Sequence, residues 1–290
     1  MMYELAIGDR SYSSWSLRGW LLFEAFGIPV TTRRVRLYSD DFTALLRDFA
    51  PARSVPALRL EDGTVIPDSL AIAEELASRH PLAGIWPQDA KARAVARALA
   101  AEMHAAFGAL RSHCPMNLRS SYERCDPPEP VLADLARLEQ IWGWARAQTG
   151  SPGPWLCGEY SAADVFFAPV ATRIATYNLP VGPQAAQYVA AHLADPALRR
   201  WRAMGRVEGP DQPFYRRDWP QRPWPAAAPL PARAVESGPS VNAACPYSGD
   251  PVTHFLEAGG RVWGFCNAFC RDKTAADPEA WPAFMAIYRA

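Results

Sequence analysis

Residues 54–80 read "SVPALRLEDGTVIPDSLAIAEELASRH", and the order of signals within them decides the fold. Two short β-type runs flank the turn pair Asp62-Gly63, which predicts a hairpin. The next run places Leu70, Ala73, Leu76 and Ala77 on one helical face and stops at Pro81, so a helix follows the hairpin. Upstream, "YELAIG" reads as a short buried strand, "SLRGWLLFEAFG" as a helix closed by Gly27, and "TTRRVRL" as a second strand, with a polar helical stretch near "FTALLRDFA". The sum, β-α-β then β-β-α, is a small α/β domain over residues 1–83.

From Trp86 onward the β signals stop. "DAKARAVARALAAEMHAAFGALRSH" predicts one helix of about 25 residues, with Val95, Leu99, Met103, Ala106 and Leu110 at helical spacing. "VLADLARLEQIWGWARAQ" is a second amphipathic helix. In "SAADVFFAPVATRIATY" Ser161 stands three residues before Asp164, a capping box with Asp in the place of Glu. "PQAAQYVAAHLADPALRRWRAMGR" supplies two shorter helices, so residues 86–208 form an all-α domain. Recurrent prolines then forbid helix over residues 209–240, which read as an extended linker. Residues 241–290 remain as a small final module.

The chain has 290 residues and carries 30 basic and 30 acidic side chains, a formal net charge of zero. No basic footprint for nucleic acid follows from that balance, and small molecules or proteins are the expected partners. No apolar run reaches the roughly 20 residues that span a bilayer, and "MMYELAIGDR" lacks a secretory pattern. A cytoplasmic protein is expected, without a membrane partner. Six cysteines in a chain of this size are thiols or metal ligands rather than a disulfide framework.

Three features point to a site in the first domain. "SYSSWSLRGW" leaves Ser11, Ser13, Ser14 and Ser16 at a helix start, either as N-caps or as donors that, with the helix dipole, favour an anion such as a thiolate. Pro56 either begins a strand in the ordinary way or, as a cis proline, exposes the Val55 backbone to a peptide-like ligand. Asp68 and Ser69 either cap the next helix or hold an amino-acid head group.

In this order "SSWS", "SVPAL", "DSLAIAEEL" and the "SAAD" capping box resemble the glutathione transferase family over residues 3 to 210. "SSWSLR" looks like the serine motif of zeta-type and related bacterial members, and "AEMH" with "PMN" like a bacterial subgroup. The resemblance implies a thioredoxin-like N-terminal domain followed by an all-helical domain, with glutathione as co-substrate. It implies that Ser13, with Ser14 next, hydrogen-bonds the glutathione sulfur and lowers its pKa. Val55 and Pro56 then pair the cysteinyl unit, Asp68 and Ser69 hold the γ-glutamyl group, and Arg53 and Arg18 help with carboxylates. Trp15, Met103, His104, Phe107 and Arg111 are the expected pocket for a small electrophilic substrate. Zeta isomerases carry a cysteine after the paired serines, and this chain has Trp15 there. A homodimer is also implied. The runner-up readings are a glutathione-dependent isomerase and a glutathione- or metal-binding sensor on the same scaffold.

At the other end, Cys245, Cys266 and Cys270 have the spacing C-x20-C-x3-C. Ligands at i and i+4 of a short helix point the same way, and soft thiolates select zinc or Cu(I). Some 50 residues bury little core, and a metal is one way to hold them together. Three buried thiols without a metal are the plainer alternative. Ser248 stands where a C-x-x-C knuckle has its second cysteine, which leaves the fourth ligand among His254, Asp272, Asp277, water or a bound molecule, with His254 and Asp272 ranked nearly equal. The pattern resembles the treble-clef-like zinc modules of the TRASH and YHS type and implies zinc.

Overall fold

In the computed structural model, which describes residues 3–290, the first strand, β1 (Tyr3–Ile7), is a nearly continuous apolar run with Leu5, Ala6 and Ile7 fully buried. It leads into α1 (Ser14–Glu24), then β2 (Val30–Arg34), α2 (Asp40–Asp48), β3 (Ala57–Arg59), β4 (Val65–Ile66) and α3 (Ser69–Arg79). The sheet order is β2-β1-β3-β4. β1 and β2 are parallel, pairing Tyr3 with Val30 and Ile7 with Arg34, and β3 joins β1 antiparallel. This is the thioredoxin-like arrangement. It leaves the end of β1 and the start of α1 on one rim, where a binding crevice forms in open α/β sheets.

In this first domain each helix start is fixed by a local side chain. Ser39 caps α2 and Asp68 caps α3, the latter accepting from Leu70 N at 2.8 Å and Ala71 N at 3.0 Å. Gly19 sits in the middle of α1 because a Cβ there would lie 2.6 Å from the Pro56 Cβ, so the glycine permits the close approach of helix and loop. The Val55–Pro56 and Ala50–Pro51 bonds are both cis.

The helical region contains α4 (Ala90–Ala105), α5 (Gly108–His113), α6 (Glu129–Thr149), α7 (Ala162–Tyr177) and α8 (Pro183–Ala194). The single helix expected over residues 89–113 is therefore two. Phe107 adopts the left-handed conformation with φ 61°, and the Asp134 carboxylate accepts from Leu110 N at 2.8 Å. A cap supplied from α6 thus satisfies one of the donors that the break exposes. α7 is buried along its whole length. The Ser161–Asp164 capping box is present, and Asp164 also accepts from Leu156 N and the Tyr188 hydroxyl.

Two compact units emerge from the chain path. One runs to Leu193 and includes Gln212–Pro225; the other comprises Ala194–Asp211 and Ala226–Ala290. In the second unit α9 (Pro196–Val207) packs against α10 (Ala268–Ala276). Arg199 grips Asp277 through Nε at 2.9 Å and Nη2 at 2.7 Å. The proline-rich stretch is not uniformly extended linker, because its proline-free run Ala232–Val235 forms β5, an edge strand on β6 (His254–Ala258), which pairs with β7 (Arg261–Phe265). Trp263 and Phe265 from β7 and Phe284 from α11 (Pro282–Arg289) form its fully buried centre.

Candidate active site and cysteine cluster

The rim at the end of β1 is organised by serine hydroxyls. Ser13 is the N-cap of α1; its Oγ accepts from Ser16 N at 3.2 Å and donates to Ser16 Oγ at 2.7 Å, while Ser16 Oγ accepts from Gly8 N at 3.0 Å. The Ser13 hydroxyl proton is thereby committed within the turn. Ser14 differs, since its Oγ accepts from Arg173 Nη2 at 3.2 Å, which leaves its own proton free to donate. Both serines are less than a tenth exposed and line a cleft of about 610 Å³ together with Trp15, Val55, Arg111 and Arg173.

Arg173 reaches the cleft from α7, held by its Nε to the Cys114 carbonyl at 2.9 Å and by Nη1 to the Pro169 carbonyl at 3.2 Å. Burial, and then the nearby Arg111 charge, lower its pKa to about 10. Arg18 is fully buried, with Nε on the Phe166 carbonyl and Nη1 without a partner among the described residues. Its guanidinium lies 4.5 Å from the Trp15 ring centre, and that of Arg111 lies 4.6 Å from the same centre. No acidic residue lines the cleft among the described residues, so three guanidinium groups meet around Trp15 and Ser14 without a carboxylate.

Of the expected pocket residues, Trp15 and Arg111 stand in the cleft wall. Met103, His104 and Phe107 do not: Met103 and Phe107 are core side chains, and the His104 ring packs edge-on to Trp15 with Nε2 3.2 Å from Asp68 Oδ2. Ser69 is buried, and its Oγ lacks a partner among the described residues. Arg53 is exposed. Sequence reasoning missed Arg173, although an arginine inside the apolar run of "VFFAPVATRIATY" was a signal. It also missed Tyr215. This residue stacks on Tyr12 with centroids 4.7 Å apart and meets the Tyr38 hydroxyl at 3.1 Å. The buried Gln212 anchors that segment by donating Nε2 to Asp9 Oδ2 at 3.1 Å.

In the second unit the structure gathers Cys245, Cys266 and Cys270, with sulfur atoms all within 4.8 Å of one another. Burial pushes the Cys245 thiol up, but backbone N–H groups of Cys266, Tyr247 and Ser248 outweigh it and bring the pKa down to about 7. The donor set is soft, and its spacing fits a thiophilic ion. Neither His254 nor Asp272 belongs to the cluster. The His254 Nδ1 faces Thr253 Oγ1 at 2.9 Å, and Asp272 accepts from Arg271 Nε at 2.7 Å. Among the described residues no helix is long and apolar enough to cross a membrane.

Residues 12–79 match the family described as glutathione S-transferase, N-terminal domain. A maleylacetoacetate isomerase of Rattus norvegicus is 34% identical over 180 residues, covering 60% of this chain and 79% of that protein. A probable maleylacetoacetate isomerase of Caenorhabditis elegans is 37% identical over 90 residues, 31% of this chain, and the chain spans only 41% of the length of that relative. Among solved structures, a glutathione transferase homologue from Burkholderia with bound glutathione is 22% identical with a TM-score of 0.53, covering 71% of this chain and 99% of its own.

Proposed function

Because the chain belongs to the glutathione transferase family, we propose that it binds glutathione at the N-terminus of α1 and holds it as thiolate for attack on a small electrophile. The observation that carries this reading is the Ser14 hydroxyl, whose acceptor side is filled by Arg173 and whose proton is free. Ser14, rather than Ser13, is therefore the thiolate donor, since the Ser13 proton already serves Ser16. A hydroxyl donor and the dipole of α1 both favour the charged form of the thiol. Val55 and Pro56 line up the cysteinyl unit, the unpartnered Ser69 Oγ suits the γ-glutamyl group, and Asp68 and the exposed Arg53 are the remaining candidates around the peptide. The protein supplies orientation and charge stabilisation, not a covalent intermediate of its own.

The electrophile in this reading carries a negative charge, because Arg111 and Arg173 face the cleft with no carboxylate to neutralise them. Isomerisation, the activity in the names of the curated relatives, is the second reading; Trp15, where zeta isomerases carry a cysteine, weighs against a direct carry-over. A homodimer is proposed from the family resemblance alone, and a cytoplasmic location from the sequence expectation together with that family. Calorimetric titration with glutathione tests the core of the proposal. Ser14→Ala should abolish the acidic shift of the bound thiol, followed by thiolate absorbance, while Ser13→Ala should chiefly cost about 1 kcal/mol of stability through the lost cap. Normal thiol acidity in the Ser14→Ala complex would overturn the assignment.

The C-terminal unit is proposed to hold a thiophilic metal, zinc first, on Cys245, Cys266 and Cys270. The order of knuckle, hairpin and helix supports the treble-clef reading, and the ion would tie the turn at Cys245 to the start of α10. Metal analysis of the purified chain decides this. A metal-free protein with three titratable thiols in this unit would end the reading and leave the sensor alternative without its basis.

A further inference from the structure

We propose that the cysteine centre keeps one coordination position open to a small exogenous thiol and is not a closed structural site. The proposal rests on the reading that the three cysteines bind a metal. Closed structural sites present four protein ligands, whereas sites with three leave a position for an outside molecule. Among the described residues only three metal-donor side chains converge here.

None of the nearby candidates for a fourth ligand brings a donor atom into the group formed by the three sulfurs. The Nδ1 of His254 meets Thr253, whose hydroxyl donates to the Cys266 carbonyl at 2.7 Å. Asp272 pairs with Arg271, and Asp277 with Arg199. At the position of a second knuckle cysteine stands Ser248, exposed, with its Oγ 3.4 Å from Cys266 Sγ. A neutral serine hydroxyl is a hard, weak ligand that donates to sulfur more readily than it closes a thiolate site. The face of the cluster beside Cys266 is thus open to solvent and polar, with Asn267 Nδ2 3.3 Å from the same sulfur.

The chemical class of the incoming ligand follows from softness and charge. An ion already selected by three thiolates prefers a fourth sulfur to an oxygen. Three thiolates around a divalent ion leave one net negative charge, and a fourth adds another. Lys273, whose ammonium lies 4.0 Å from the Tyr247 ring centre and 4.1 Å from that of Trp281, is one turn from Cys270 and offsets that charge. In the exchange the thiol releases its proton to solvent as its sulfur takes the open position, and no oxidation is involved.

Full-length protein loaded with one equivalent of Co(II) reports the number of thiolates through its sulfur-to-cobalt charge-transfer absorbance. Added 2-mercaptoethanol should raise that absorbance saturably by about one third, the step from three thiolates to four. Ser248→Cys should show the higher absorbance without added thiol and should no longer respond to it. A wild-type spectrum indifferent to the thiol overturns the open position while leaving the metal reading intact. So does a spectrum altered by His254→Ala or Asp272→Ala, which would identify a fourth protein ligand. Absence of any charge-transfer band at stoichiometric cobalt would remove the metal reading itself.

Discussion

Asp164→Asn keeps the shape of a buried side chain and removes its charge at the base of α7. In the native chain Oδ1 accepts from Leu156 N at 3.2 Å and from the Tyr188 hydroxyl at 2.9 Å, and Oδ2 accepts from Ser161 N at 3.0 Å and Ser161 Oγ at 3.2 Å. Asn retains Oδ1 but turns an NH₂ group toward Ser161. The Ser161 hydroxyl can rotate to accept; its amide cannot, and a buried unpaired donor costs about 1–3 kcal/mol. Where the carboxyl is ionised, losing its negative charge at a helix N-terminus adds roughly 0.3–1 kcal/mol. Against this stands desolvation. Burial raises the Asp164 carboxyl from its ordinary 3.8 to about 6, with the hydrogen bonds from Tyr188, Leu156 and Ser161 pulling the other way. Between those two values the folded chain holds a proton that the unfolded chain has released, so this group's contribution falls as pH rises through the window. The full displacement corresponds to about 3 kcal/mol, and Asn escapes it. The destabilisation by Asp164→Asn should therefore be greatest near pH 4 and shrink by roughly 2–3 kcal/mol at pH 7.5, read by urea unfolding with far-UV circular dichroism. A gap that widens with pH would mean that the four hydrogen bonds hold the carboxylate ionised below its unfolded value, and the desolvation argument would be refuted.

His192 titrates in the same region with the opposite sign. Burial lowers its pKa to about 3, so stability is lost as pH falls from 6.5 toward that value, and His192→Leu should flatten the acid limb by about 2 kcal/mol at pH 5; an unchanged limb would contradict this. Gly19→Ala should cost about 1–3 kcal/mol through overlap with Pro56 and weaken glutathione binding by displacing the start of α1; calorimetry that shows native affinity and stability would dismiss the close-approach account. Arg111→Gln should raise KM at least tenfold for an electrophile bearing a carboxylate, the equivalent of about 1.4 kcal/mol, and leave a neutral one unaffected. Equal effects on both would deny Arg111 a role in charge recognition.

The hairpin at Asp62-Gly63 and the Ser161–Asp164 box were legible because each is a short-range pattern whose hydrogen bonds close within a few residues. The break after Ala105 was not. Gly108, next to Phe107, weakens a helix by about 1 kcal/mol without forbidding it, and a carboxylate on α6, Asp134, caps the new start. The site divides in the same way. Serines at a helix start can be read from sequence, whereas the distinction between Ser13 and Ser14 depends on Arg173, 159 positions away, and no local spacing encodes it. Cys245, Cys266 and Cys270 were readable as a group from spacing, but the commitments of His254 and Asp272 follow from neighbours fixed by the fold. The same holds for β5, which emerges from a proline-rich stretch only because an edge strand was available to receive it.

The placement of α9 with the cysteine-bearing residues bears on how this protein can be divided. The second unit is drawn from two separate stretches, with Gln212–Pro225 assigned to the first unit between them. A stop codon after residue 240 would not subtract a module. It would leave α9 without α10 and the Asp277 partner of Arg199. Such a fragment would be destabilised, and a loss of activity in it would say nothing about regulation. A gene edited to remove the cysteine-bearing end must also redesign α9, so the two stretches are expected to be inherited as one piece.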